Sequence, residues 1–290
     1  MHYTIKYFFS FIFLCETFLI SNASPQKCDS LYDSGNYFEA AIEFERMIFQ
    51  AKDLSEINFY KYRKALCYKK MNQFDQSLNE LQPIYFSNTR DSLYTLVCYE
   101  QSLCFYLNNE PERALWKIDE FMHRSSDSAS FKYFLPLKIL CLNATFQWNE
   151  ARESFLQFID MQNFSLESKL EKEQIVMNLY KKKNRPRMKS VKKAEHLSRF
   201  FPGSGQIYAG VGSEGIINLL INASILTFAG FQVYNGFYIT GYLAGLGFFN
   251  KTYHGGIKRA GVLAAQQNKE IIVGFNDKIT ELIVTNFESK

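Results

Sequence analysis

The sequence predicts an all-α protein: a solenoid of helical hairpins, then a transmembrane helical hairpin, then a C-terminal amphipathic helix. Three observations carry that expectation. The first is a four-fold echo with a period of about 37 residues. Tyr37, Phe74, Pro111 and Trp148 share one phase, with Ala40, Ser77, Ala114 and Ala151 three further on and Phe44, Leu81, Ile118 and Phe155 four beyond those. The second is a run from Gly215 to Asn250 without a charged residue. The third is composition, since a 47% hydrophobic chain of 290 residues with only 6 Pro favours ordered helix. Its 28 Phe and 18 Tyr exceed what a soluble core needs.

Residues 1–23 open with Lys6 as their one positive charge, continue in the apolar run Tyr7 to Cys15, and end at Ser21-Asn22-Ala23. That order fits a secretory signal peptide, and an uncleaved N-terminal anchor is the alternative. Glu16 fits neither well, because a carboxylate deep in a bilayer costs about 2.5–3.5 kcal/mol.

Residues 24–180 form the repeat domain. Each of four units divides into two helices. The first carries a mostly small residue (Cys28, Ala65, Ser102, Ile139) and a large apolar one three positions on (Leu31, Tyr68, Phe105, Leu142). A turn follows at Gly35-Asn36, Asn72-Gln73, Asn109-Glu110 and Phe146-Gln147, and the second helix carries the Ala and Phe/Leu/Ile columns. This spacing traces one face of a 3.6-residue helix. Small residues under bulky ones let two helices approach to about 8–10 Å. Cys67, Cys104 and Cys141 fall at one phase, which makes them packing residues, since a free thiol behaves as a small hydrophobe. Leu166, Leu170, Ile175 and Leu179 read as a closing helix that covers the last apolar face.

The stretch Tyr32 to Ile48 (YDSGNYFEAAIEFERMI), with the same phase in the next two units, resembles the tetratricopeptide repeat. Gly35, Tyr37, Ala40 and Phe44 carry the likeness, over about half the chain. The period is some three residues longer than that family's usual one, and its repeat-end proline is mostly missing. The resemblance implies a concave surface that holds a protein or peptide partner. Lys64, Gln101 and Lys138 share one phase on the first helices and are the groove candidates.

Residues 181–199 are a basic juxtamembrane linker, with nine Lys/Arg against the single Glu195. The formal charge of the chain is +4, so the remainder is acidic by count and the basic character is local. Beside an apolar hairpin, such a run favours anionic lipid headgroups over nucleic acid. Residues 200–268 read as a two-helix membrane domain divided at Tyr234-Asn235-Gly236, and residues 269–290 as a C-terminal tail. Asn218 and Asn222 lie four apart on the first arm and are expected to hydrogen-bond across the hairpin, while Gly241-x-x-x-Gly245 offers a close-approach face on the second.

The segment Phe200 to Gly210 (FFPGSGQIYAG) lacks the strand and the Lys-Ser/Thr of a phosphate loop. Pro202, Gly203, Gly205, Gln206, Tyr208 and Gly210 resemble the opening element of small two-helix membrane domains of unknown function in bacteria, and Tyr253 to Asn268 resembles the Gly- and Ala-rich helix that follows them. Some such domains occur beside membrane-protein insertion factors.

The expected function is therefore a membrane-tethered repeat scaffold in a bacterial cell envelope. It would lie at the inner membrane with the repeats periplasmic, or on the cytoplasmic face if residues 1–23 do not export them. A membrane-active protein whose hairpin assists insertion, assembly or transport is the alternative. The four histidines are scattered, and no catalytic motif, cofactor site or metal-ligand spacing is visible, so an enzyme is not expected.

Overall fold

The computed structural model describes residues 24–86, 92–125 and 128–286, so the reading of residues 1–23 as an export signal or anchor lies outside the described residues. Among the described residues the secondary structure is helical throughout, in two compact units that meet in sequence between Thr145 and Phe146.

The first unit contains α1 (Pro25–Asp33), α2 (Tyr37–Gln50), α3 (Leu54–Lys70), α4 (Phe74–Leu81), α5 (Ser92–Leu107), α6 (Pro111–Arg124) and α7 (Phe131–Ala144). Side-chain oxygens of Ser24 and Asp53 cap α1 and α3 by accepting from Lys27 N and Glu56 N, which satisfies helix-start donors. The sequence period reappears as backbone geometry. Gly35, Asn72 and Asn109 all have positive φ (83°, 58° and 61°), each just past a first helix. The next residue then donates back to the carbonyl five earlier: Asn36 to Leu31, Gln73 to Tyr68, Glu110 to Phe105. That is a Schellman stop, and Asn tolerates the left-handed conformation better than most side chains.

The predicted columns are the core. Ala40, Phe44, Ser77, Leu81, Ala114 and Ile118 are all buried, as are Cys28, Ala65 and Ser102 from the first helices. Cys67 and Cys104 are fully buried, and the Cys104 thiol lies 3.4 Å from Ser77 Oγ, which itself donates to Ala65 O at 2.9 Å. Phe121 is the centre of an aromatic cluster, stacked on Phe134 at 4.1 Å and flanked by Tyr94 and Phe131.

This burial has a pH consequence. Desolvation pushes the Cys67 thiol from 9.0 up to about 12, and the Tyr62 and Tyr94 hydroxyls from 10.0 up to about 12. Between pH 9 and 12 the unfolded chain sheds these protons first, so it binds fewer than the folded chain and stability falls as pH rises. A urea midpoint followed by circular dichroism is expected to be lower at about pH 10.5 than at about pH 8.

The second unit begins with α8 (Trp148–Asp160) and α9 (Leu166–Leu179), followed by α10 (Val191–Phe200), α11 (Ser204–Ala209), α12 (Gly212–Tyr234), α13 (Tyr238–Tyr242), a π-helical stretch (Leu243–Phe248) and α14 (Phe249–Asn286). The division at residue 145 thus falls inside the fourth repeat, between its two helices. Ala151 and Phe155 are buried here as their column requires.

Two expectations change. Leu166, Leu170 and Ile175 are exposed rather than covering an apolar face. The covering is done by the chain beyond residue 268, which is no separate tail but the continuation of α14. Its Ile272, Phe275, Ile279 and Ile283 are buried, and the Phe275 ring meets Trp148 at 5.7 Å and Tyr180 at 6.0 Å edge-on. The amphipathic period of residues 257–283 accounts for one uninterrupted helix of about 57 Å.

Candidate functional site

Among the described residues, the candidate side chains gather at a cleft in the first unit and at the glycine-rich element with its helix pair in the second.

In the first unit, the three groove candidates serve as ties between helices. Lys64 on α3 holds Glu45 of α2 and Glu80 of α4, both at 2.7 Å. Lys138 on α7 holds Asp119 of α6 at 2.7 Å. Gln101 on α5 is buried and donates to the carbonyl of Leu81 at the end of α4. Their shared phase therefore reaches back to the preceding second helix, which is why the position is polar in each unit. Hydrogen bonds to Glu45 and Glu80 outweigh desolvation and raise the Lys64 pKa. Gln101 also lines a cleft. That cleft, of about 390 Å³, also has Gln82, Phe105, Glu112, Arg113, Trp116 and Lys117 on its walls. Trp116 is 67% exposed, and the Arg113 guanidinium lies 4.2 Å from the Phe105 ring centre. An exposed indole beside a stacked guanidinium offers a flat apolar seat with a charged edge, of the kind that anchors peptide side chains.

In the second unit, each residue of the glycine-rich element has a structural task. Phe201-Pro202-Gly203-Ser204 is a type II turn, closed by Ser204 N donating to Phe201 O at 3.1 Å, and it needs the positive φ of Gly203 (92°). Gly205 is buried where a side chain would overlap the Ala194 carbonyl, Ser198 Oγ and Ala260. Its N–H donates to Ser198 Oγ at 3.1 Å, and that hydroxyl donates to Gln206 Oε1 at 3.1 Å. Gln206, 1% exposed, completes the chain by donating from Nε2 to the Gly256 carbonyl on α14. Tyr208 accepts from Ser190 N, and its ring lies about 5 Å from the ammonium groups of Lys189 and Lys193. Gly210 (φ 102°) ends α11 in another Schellman stop. Asn268, last residue of the helical likeness, clasps Lys189 from both sides, accepting from its N–H and donating to its carbonyl. The element is a clamp that fixes α10 and α11 to α14.

Beyond the clamp, α12 and the helix that follows it run antiparallel from the turn at Gly236 (φ 84°). Their register can be followed pair by pair. Gly241 packs on Val233 and Ala229, and Gly245 on Ala229, so the Gly241-x-x-x-Gly245 face makes the close approach. Thr252 Oγ1 donates to Asn222 Oδ1 at 2.9 Å, Gly256 faces Asn218, and Arg259 grips Glu214 through two bonds of 2.7 and 2.9 Å. Asn222 is buried and also donates to Asn218 O and Oδ1. The asparagine pair thus bonds across the helices through Asn222 alone.

The half of the pair near Gly236 is therefore apolar and closely packed, while the other half carries a polar seam. An open cleft of about 320 Å³ lies along that seam, lined by Gln206, Glu214, Ile217, Asn218, Ile221, Thr252, Gly255, Gly256 and Arg259. The Glu214–Arg259 pair was not among the sequence candidates. Nor were Trp116 and Arg113, which no spacing marks.

On the outer surface of α12, Ile216, Leu220, Leu226, Phe228 and Phe231 are all exposed. The helix is long and apolar enough to cross a membrane. Among the described residues no cluster of His, Cys, Asp or Glu could hold a metal ion. No family model matches this sequence, and no curated protein matches it either.

Proposed function

We propose that this protein is a membrane-tethered scaffold of tetratricopeptide-like repeats that binds a partner protein or peptide at a bacterial inner membrane. The observation that carries the tether is the outer surface of α12, whose large apolar side chains face outward along its length. In water so large an apolar patch would drive aggregation. In hydrocarbon it is the expected surface, and α12 at about 34 Å matches a core of about 30 Å.

The second arm completes a transmembrane hairpin, with Tyr234, Tyr238 and Tyr242 at the far interface. Lys251, the first charge on that arm, is exposed, and its four-carbon stem is long enough to carry the ammonium toward the interface. Lys181, Lys182, Lys183 and Lys192 are exposed and would meet anionic headgroups, whereas Arg185, Lys189 and Lys193 are engaged within the unit. The cleft at Trp116 is the partner seat. An export signal in residues 1–23 would place the repeats in the periplasm, and without one they would face the cytoplasm.

The alternative is a membrane-active protein that assists insertion, assembly or transport. The polar seam at Asn218, Asn222 and Thr252 favours it, because polar groups in a membrane helix pair often mark a path.

The test uses the full-length chain in cells, with a photo-crosslinking residue at position 116 or, as a control, at Phe49. The tether predicts a carbonate-resistant membrane protein, and the scaffold predicts one discrete adduct from position 116 alone. Extraction by carbonate would overturn the tether. Equal adducts from both positions, or none, would overturn the partner seat.

A further inference from the structure

The level of the cleft between α12 and α14 tells what enters it, provided the hairpin lies in a bilayer as proposed above. From Tyr234 back to Glu214 is 20 residues of helix by number (234 − 214), about 30 Å, which is the thickness of a hydrocarbon core. With the tyrosines at one edge of that core, the Glu214–Arg259 pair stands at the other, where their side chains, exposed to the surroundings, can reach outward to lipid headgroups. Asn218 and Thr252 lie roughly one helical turn or more deeper, beside the first part of the acyl chains. Ile217 and Ile221, half exposed on the same wall, continue toward the bilayer centre as a track for an acyl chain.

The charges of the lining select among headgroups. The cleft carries one guanidinium and one carboxylate, so it has no net charge and complements a zwitterion better than an anion. Neither charge is used up by the other. Two bonds to Glu214 occupy two of the five N–H donors of Arg259, and the carboxylate keeps free lone pairs. A phosphate oxygen can therefore bond Arg259 while an ammonium bonds Glu214. The carboxylate accepts hydrogen bonds, so a primary ammonium with N–H groups binds there more strongly than a quaternary one. Gly255 and Gly256 leave the wall without side chains, and the volume of about 320 Å³ admits a headgroup of this size.

We infer that the α12–α14 cleft is a binding site for a phosphoethanolamine-headed phospholipid from the surrounding bilayer, with Arg259 on the phosphate and Glu214 on the ammonium. The site faces the leaflet on the same side as the basic linker and is distinct from the contacts of that linker with anionic lipid.

The experiment is native mass spectrometry of the delipidated full-length chain in detergent micelles, titrated with phosphatidylethanolamine, phosphatidylcholine and phosphatidylglycerol of identical acyl chains. Flotation with phosphatidylcholine vesicles is measured in parallel. Phosphatidylethanolamine is expected to bind at least about fivefold more tightly than either other lipid. That preference should vanish in Glu214→Gln and in Arg259→Gln and persist in Lys192→Gln. Flotation with equal binding of all three lipids, or with preference for phosphatidylglycerol, would overturn the inference and leave the membrane reading standing. Failure to float would remove the membrane reading and the inference with it. Because the wild-type order of lipids decides by itself, the outcome does not depend on either variant folding.

Discussion

Gly205→Val is expected to destabilise the second unit by about 3 kcal/mol or more. The new side chain would overlap the backbone carbonyl of Ala194 as well as Ser198 Oγ and Ala260. A flexible side chain could turn aside, but the carbonyl belongs to the turn-by-turn ladder of α10 and cannot move without breaking it. The same displacement would separate the Gly205 N–H from Ser198 Oγ and disturb the Ser198–Gln206–Gly256 chain, leaving buried polar groups unpaired. Each unit holds one tryptophan, so a Trp116→Phe background leaves Trp148 to report on the second unit alone. Thermal unfolding in detergent, followed by that fluorescence, should show a transition lowered by several degrees or lost. A valine variant melting with its parent would show that Gly205 is not a packing requirement. Gly212, with open space around it, is the control and should tolerate Ala with little change.

Phe121→Ala is expected to cost about 3–5 kcal/mol in the first unit. The ring is fully buried, stacked on Phe134 and edge-on to Phe131, so its removal leaves a cavity whose walls are other rigid rings. Such walls relax poorly, which places the cost toward the upper end. Phe134→Ala alone should cost a similar amount. The double variant should cost clearly less than the two together, since the second deletion removes contacts already lost. Chemical denaturation followed by circular dichroism measures all three. A loss below about 1 kcal/mol for Phe121→Ala would mean that the cluster repacks and that the column at Ile118 and Ala114 holds the unit without it.

Much of the fold was legible because packing repeats and the sequence repeats with it. Ala40, Ser77 and Ala114 occupy equivalent contacts, so the period alone placed them in the core. The period marks the turn positions at Gly35, Asn72, Asn109 and Phe146, although Phe146 takes the left-handed conformation (φ 63°) with a side chain that disfavours it.

The polar site residues were harder to read. Lys64, Gln101 and Lys138 share a phase for a reason the period cannot express: each answers an acceptor on the preceding helix, and Lys64 one on the following helix as well. Glu214 and Arg259 needed a register. Once Gly236 is known to be the turn, they lie 22 and 23 positions to either side of it (236 − 214 and 259 − 236) and must face each other. The extent of α14 was missed because the likeness to known elements ended at Asn268, while the apolar period of the helix continued past it.

The buried cysteines have a practical consequence for topology mapping. Cys28, Cys67, Cys98, Cys104 and Cys141 are unpaired and closed to solvent, and burial raises the thiol pKa of each, so little reactive thiolate forms near neutral pH. The folded domain therefore supplies its own silent background. With Cys15 replaced by serine, a single cysteine introduced at Asn235, Lys182 or Phe49 would react alone. A maleimide that cannot cross a membrane would then read out, one position at a time, which side each part of the chain faces, with the native thiols left in place.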